Sequence, residues 1–448
     1  MHKALKHAAR VRQKKVGVPP HAVAHHQRGI GLRFASFIAS GRGAWIAFLA
    51  VLGPGLLAGL SDDDPAGITT YSVLGAEFGY SLLWIIPVST VMLVQFHLMA
   101  MRIGATTGKG FVGIVREKWG HRAGYVAVGG LLIANFGTIC AEYAGISAAG
   151  GLIGLPSWIS APVAGLLISL VVVLGSFHRV EQVLLVISST LALYIVDGLL
   201  AEPDWEKVIH HSLIPHLPAS PAEWVAIAAA LGTTLAPWGL AFIQSYAVDK
   251  KISLQTLRWA RVDVVIGSVL TGVIGLAIAV ACAATLNKAG IHIVDAGDAA
   301  SALKPLAGRF ATVLFGAGLL GASLLAAAIV PIATSYSIAE GAGEQASLDL
   351  DSHHFQLFYT AIVVLTVAAV SVVSVPGLPL IPLIYASQVV NALLLPLHVI
   401  ALQLLANDGS IVGEGRLGKA SRIGGWVSIS LIIACVAALI WSWLGGTG

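Results

Sequence analysis

Eleven long apolar runs alternate with short polar segments along this chain. We place them at about 44–76, 82–103, 122–150, 157–175, 182–202, 222–247, 258–286, 308–339, 356–374, 377–406 and 423–444. Each approaches or exceeds the ~20 apolar residues that an α-helix needs to cross a bilayer. Strand-like alternation of apolar and polar positions does not organise the runs. The pattern predicts an all-α polytopic membrane protein with about 11 transmembrane helices.

Composition agrees with the pattern. Of 448 residues, 57% are hydrophobic and only 11% charged, less than half the charge of an ordinary soluble domain at about 25%. The 50 glycines suit membrane helices, whose backbones approach closely where side chains are small. No short apolar segment with a cleavage site precedes the first run, so no removable signal is expected. Cys140, Cys282 and Cys435 are scattered through apolar runs, which suggests buried thiols and no disulfide framework.

Charge sets a direction. Segment 1–43 carries nine Lys and Arg and no acid. Counting along the alternating loops, 22 of the 26 Lys and Arg fall on the side of the N-terminus. The other side holds Lys207, Lys288, Lys304 and Arg309. This bias predicts an N-terminus in the cytoplasm and a C-terminus outside. It also accounts for the basic arm without nucleic acid as a partner.

Two runs are interrupted alike. Span 1 contains Ser61-Asp62-Asp63-Asp64-Pro65-Ala66-Gly67, and span 6 contains Ala236-Pro237-Trp238-Gly239. Proline lacks the N–H that a helix interior requires and disfavours helical backbone at the residue before it. Both helices are therefore expected to break in mid-membrane. Five spans separate the breaks, so the two halves lie in opposite orientations, the pattern of a transporter with inverted repeats and a site at the midplane. We divide the chain into a basic segment at 1–43, a transport core at 44–406 and a loop plus extra helix at 407–448. The repeats cover about 44–202 and 222–406.

The acids are the candidate chemistry. A charge near the bilayer centre costs about 3 kcal/mol or more, which marks such residues as functional candidates. Asp64 sits at the first break. Asp62 and Asp63 point away from it, and we expect them to line a vestibule. Glu142 in Cys140-Ala141-Glu142-Tyr143 is the acid of span 3. Gln388 in span 10 supplies an amide, with Asn391 one turn later. Glu77 and Asp197 lie near span ends and read as interfacial. Asp263 is near an inner end, where Arg261 or Lys251 could pair with it. The four methionines, Met1, Met92, Met99 and Met101, leave span 6 without a thioether. An all-oxygen set of carboxylates, carbonyls and water suits Mg²⁺, Ca²⁺ or Mn²⁺ better than softer metals. There is no phosphate-binding loop, zinc-protease motif or nucleophile–base pair, so neither an enzyme nor an ATP-driven pump is expected.

These motifs resemble those of the NRAMP family of divalent-metal transporters over about residues 44–405. The resemblance rests on Gly53-Pro54-Gly55, Asp64 to Gly67, Gly75-Ala76-Glu77-Phe78-Gly79-Tyr80, Ala141-Glu142, the break in span 6, Ala300 to Leu306, and Ser387-Gln388-Val389-Val390. It implies a LeuT-type fold of 5+5 inverted repeats with helices 1 and 6 broken, and import of Mn²⁺ and Fe²⁺ with protons. The departures are specific. Gly67 stands where the family has an Asn ligand. Ala236-Pro237-Trp238 stands for Met-Pro-His. Ile243 or its neighbour replaces a second histidine, and Ile139 an aspartate. This pattern is similar to the NRAMP-related magnesium transporter branch, in which transport of Mg²⁺ and Mn²⁺ is uncoupled from protons.

Carried over by resemblance, Asp64 is a ligand, Ser61 and Thr233 offer backbone carbonyls, Gln388 matches the span-10 ligand, and Glu142 touches the ion's hydration shell. Gly67 and Ala236, without ligating side chains, leave room for water. The expected protein imports partly hydrated Mg²⁺ and also Mn²⁺. It works as a monomer in a bacterial inner membrane, with the ion as cargo and no cofactor. Two other readings stay open: a proton-coupled Mn²⁺/Fe²⁺ importer, and an ion-coupled amino-acid symporter of the same fold.

Overall fold

The computed structural model describes residues 64–173, 193–249, 252, 257–303, 308–344, 356–413 and 416–445. The basic segment 1–43, Ser61, Asp62, Asp63 and much of predicted spans 1 and 5 lie outside them. Every described residue falls in one unit, Gly53–Gly448. The described residues form helices and no strands.

Helix α1 (Pro65–Phe78) is the second part of predicted span 1. Proline stands at its first position, where its missing N–H costs nothing. α2 (Ile85–Thr107) runs back and is followed by the short α3 (Phe111–Trp119). α4 (His121–Gly151) has 31 residues, about 46 Å at 1.5 Å per residue, enough to cross a bilayer with length to spare. α5 (Ser157–Val173), α6 (Leu193–Leu200) and α7 (Trp205–Leu213) follow.

Predicted span 6 is two helices, α8 (Pro221–Thr234) and α9 (Pro237–Asp249). Ser220 and Glu223 close a reciprocal cap at the start of α8, each taking the other's backbone N–H, which satisfies two donors that no helical carbonyl can reach. α10 (Leu257–Cys282) ends in a π-helical turn, Ala283–Asn287. There the Asn287 amide donates to the Ala76 carbonyl at 2.8 Å, joining α10 to α1. The remaining helices are α11 (Ala296–Ala300), α12 (Ala311–Ala342), α13 (Gln356–Val373), α14 (Leu380–Asn407), α15 (Gly409–Val412) and α16 (Lys419–Trp443).

Eight of the described segments are long and apolar enough to cross a membrane, the broken pair α8–α9 counting as one. They fall at predicted spans 2, 3 and 6–11. α5, α1 and α6 fall in spans 4, 1 and 5. The core is the packed centre where α4 meets α12 and α14, and where α8 meets α14 and α16. The α8–α9 pair is buried throughout its apolar window, whereas α16 is buried over only a third of its own. α16 thus sits at the rim and α8–α9 at the axis.

The two ends of the bundle differ. One end gathers Arg102, Lys109, Arg116 and Lys118. There Glu340, near the end of α12, accepts the backbone N–H groups of Val112 (3.1 Å) and Gly113 (3.2 Å) in the first turn of α3. It also accepts the Ser245 hydroxyl of α9 at 2.8 Å. Gln244 adds a bond from its amide to the Lys109 carbonyl. The Glu340 carboxylate and the Gln244 amide thus tie α9 to α12 and to the start of α3. Asp408, outside the spans, meets Lys118 at 2.7 Å, and that ammonium holds the Asp408 carboxyl down at about 2.

Candidate functional site

The site is built where α1 begins. The Asp64 side chain caps α1, its Oδ1 accepting the Gly67 N–H at 2.7 Å. Gly67 therefore contributes a backbone donor and no side chain. Asp64 is only 4% exposed. Its carboxyl lies against that of Glu142 on α4, which is fully buried. No N–H or hydroxyl donor satisfies either Glu142 oxygen. Among the described residues no ion pair involves either acid. Two ionised acids buried side by side, one of them without a donor, are costly unless a cation or a proton joins them.

One turn along α4, Gly145 makes this approach possible. A Cβ there would collide with the ring of Pro65 and with the Ser323 hydroxyl of α12. The proline that opens α1 therefore rests directly on the α4 backbone. Sequence spacing, Glu142 to Gly145 at i and i+3, puts the acid and the gap on one face.

The second break lies across the site. In a continuous helix the Thr233 carbonyl would accept from residue 237, but Pro237 has no N–H. That carbonyl therefore lacks its helical donor, and the Thr233 hydroxyl is buried without a partner as well. Thr233 is at the C-terminal end of α8, where the helix dipole presents partial negative charge. Ala236 is buried in the gap between α8 and α9. Trp238, one residue into the turn that follows, is fully buried with its indole N–H unpartnered. It packs against Phe242, ring centres 6.2 Å apart.

Gln388 comes to the same region by backbone packing. A Cβ at Gly232 would collide with the Gln388 carbonyl, so α8 and α14 touch main chain to main chain next to Thr233. The Gln388 side chain is buried and engaged. Its oxygen accepts from Asn391 at 2.9 Å and its NH₂ donates to Ser387 at 2.7 Å. Asn391 also donates to Thr138 of α4 at 3.0 Å. No hydrogen bond joins Gln388 to Asp64. The Gln388 oxygen accepts one donor from Asn391 and keeps a second lone pair.

Asp64 and Glu142 are thus brought together. Gly67 adjoins Asp64 through its N–H, Gln388 adjoins the second break through the Gly232 contact, and Thr233 and Ala236 line that break. Ser61 lies outside the described residues, as do Asp62 and Asp63. Glu77 is at the far end of α1, 2.8 Å from His292 on the exposed surface, in keeping with an interfacial acid. The Asp197 side chain is not among those described.

Three features carry no clear signal in the sequence. Trp238 stands out only once its complete burial is known. Glu340 looks like an acid at the end of an apolar run. A hydroxyl chain from Tyr71 (α1) to Thr234 (α8) at 2.8 Å, and on to Ser89 (α2) at 3.1 Å, ties three helices beside the breaks. Its members are ordinary Ser, Thr and Tyr in apolar runs.

A bundle of membrane-length helices, one of them broken at mid-span, with two buried acids beside the start of α1, has the architecture of a LeuT-type transporter fold. The pattern of the Nramp family, natural resistance-associated macrophage protein-like, matches residues 55–442, and the chain belongs to that family and is an integral membrane protein. A relative in Deinococcus radiodurans, named divalent metal cation transporter MntH, is 27% identical over 412 residues, covering 89% of this chain and 91% of its own. The crystal structure of the Eremococcus coleocola manganese transporter superposes with a TM-score of 0.67 at 21% identity, over 91% of this chain and 90% of that one. MhsT, solved with L-phenylalanine, gives a TM-score of 0.56 at 17% identity, over 88% and 98%.

Proposed function

We propose that this protein carries divalent metal ions across the membrane, with partly hydrated Mg²⁺ as the main cargo and Mn²⁺ as a second. The observation that carries this reading is the donor chemistry at the two breaks. Asp64 and Glu142 offer carboxyl oxygens, Thr233 offers a carbonyl, and Gln388 offers an amide oxygen. The family membership and the names of the relatives support a metal as substrate. Ala236 and Gly67 provide no sulfur or nitrogen donor. Mg²⁺ prefers oxygen ligands and usually keeps several waters, and two positions without ligating side chains leave space for them. On this reading the chain sides with the magnesium branch of the family.

The ion moves by alternating access, spans 1, 2, 6 and 7 rocking against the rest as a single polypeptide. Its basic end faces the cytoplasm of a bacterium. Transport needs no proton partner. Two charges falling through 100 mV release about 4.6 kcal/mol, enough to drive uptake. The Tyr71–Thr234–Ser89 chain supports movement of α1, α2 and α8 as a body, and the Glu340 bonds to α3 and Ser245 support closure at the basic end.

Uptake of Mg²⁺, Mn²⁺ and Ca²⁺ into proteoliposomes, with internal pH followed, tests the proposal. We expect saturable Mg²⁺ uptake, competition by Mn²⁺ and no acidification. Metal-driven acidification with Mg²⁺ excluded would favour the proton-coupled manganese reading.

A further inference from the structure

The sequence places residues 203–220 between two spans as a loop, yet they contain a helix with two unlike sides. α7 opens at Asp204, whose carboxylate accepts the Lys207 N–H. At ~100° per residue, Trp205, Ile209 and Leu213 fall within an arc of about 80°. Lys207 lies about 160° and His210 about 100° from the middle of that arc, and Glu206 borders Leu213. Val208 is buried in the protein core, and it fixes the helix's rotation. The apolar arc has no protein partner: Trp205 is 47%, Ile209 58% and Leu213 75% exposed. A surface helix normally turns such a stripe inward. This one is turned outward.

The neighbours say what covers it. α6 ends four residues before α7, and its Val196, Leu199 and Leu200 are exposed in the same way. α6 is the tail of a span, so these side chains face lipid. The exposed apolar surface continues from them to Trp205 and along α7, then to Ile214 and Leu217. Tryptophan at the start and cationic or imidazole groups opposite are the composition of a helix lying in a membrane–water boundary.

We propose that α7 lies flat in the lipid headgroup boundary at the bundle end away from the basic cluster, with Trp205, Ile209 and Leu213 among the acyl chains. Lys207 and His210 face water. α8 begins eight residues after α7 ends, so this anchor sets the depth at which the broken helix starts.

Nitroxide labels test the orientation. Cysteine is placed singly at positions 207, 209, 210 and 213 in a chain whose Cys140, Cys282 and Cys435 are replaced by alanine. Each labelled protein is reconstituted in phosphatidylcholine–phosphatidylglycerol vesicles. Collision with oxygen, which concentrates in acyl chains, should exceed collision with a water-soluble nickel chelate severalfold at 209 and 213. The order should reverse at 207 and 210. Nickel dominance at all four positions places α7 in water and overturns the proposal. Exclusion of both probes at 209 and 213, with spin–spin broadening between chains, points to a second copy on this face and overturns it as well. A measurement without cysteine exchange provides an independent check. Brominated acyl chains should quench the native chain's tryptophan emission more than that of Trp205→Phe, and equal quenching counts against the proposal.

Discussion

Helices α1 and α9 both begin with a proline, and both prolines remove the N–H that would have reached back four residues. At α1 the residue before proline is Asp64. Its carboxylate caps the helix and offsets the partial positive charge of that end. At α9 it is Ala236, which caps nothing. The first break therefore brings formal charge to the site and the second brings main chain. The acid that completes the charged side, Glu142, comes from α4, a continuous helix. The uncharged side is completed by close packing, with Gly232 against the Gln388 backbone. One local sequence pattern thus serves two purposes, and what separates them is the single residue before proline.

The sharpest way to break this contrast is to remove the charge and keep the cap. Asparagine caps helices as well as aspartate. We expect Asp64→Asn to fold normally, by size-exclusion profile, and to lose metal uptake by on the order of 100-fold, the loss of about 2.7 kcal/mol of ion binding. Native uptake rates in that variant would mean that the first break works through backbone alone.

The second break should respond to bulk. Gly232→Ala puts a methyl against the Gln388 carbonyl. It should cost about 1–3 kcal/mol of stability, as overpacking does, read as a lower melting temperature in detergent. An unchanged melting temperature would show that α8 and α14 have slack between them.

Glu142→Gln keeps the shape of the second acid and removes its charge. We expect apparent Mg²⁺ affinity to fall about tenfold, or 1.4 kcal/mol, with the maximal rate less affected. Concentration dependence of uptake separates the two. An unaltered half-saturation point would remove Glu142 from the ion's surroundings.

Smallest, and most specific, is Ala236→Met. A thioether at the uncharged break should shift the Mn²⁺-to-Mg²⁺ uptake ratio upward a fewfold, because sulfur favours softer ions. Competition uptake measures it. No shift would place Ala236 outside the ion's reach.

The helices were legible because apolar length is a local property, and the break between α8 and α9 because proline acts on its immediate neighbours. Asp64 could be picked out for the same reason. Glu340 could not, since its partners Val112 and Gly113 are more than 220 residues away in the chain. The Gln388–Asn391–Thr138 network likewise joins α14 to α4 through side chains that resemble ordinary helix–helix contacts in an apolar run. α7 was illegible for another reason. A nine-residue helix among prolines is too short for periodicity to distinguish it from a loop.

The complete burial of α8–α9 has a consequence for how the molecule is made. This segment contacts α1 and α2, but its lateral cover comes from α14 and α16, which the ribosome delivers more than 130 residues later. Until then Thr233 and Ala236 have no finished surroundings, and the half-made site must wait in the bilayer for its last walls. A chain truncated before Leu380 should insert its early spans yet remain without a closed site. Biosynthesis lays down the axis of this transporter before the helices that enclose it, so the centre is among the last parts to be sealed.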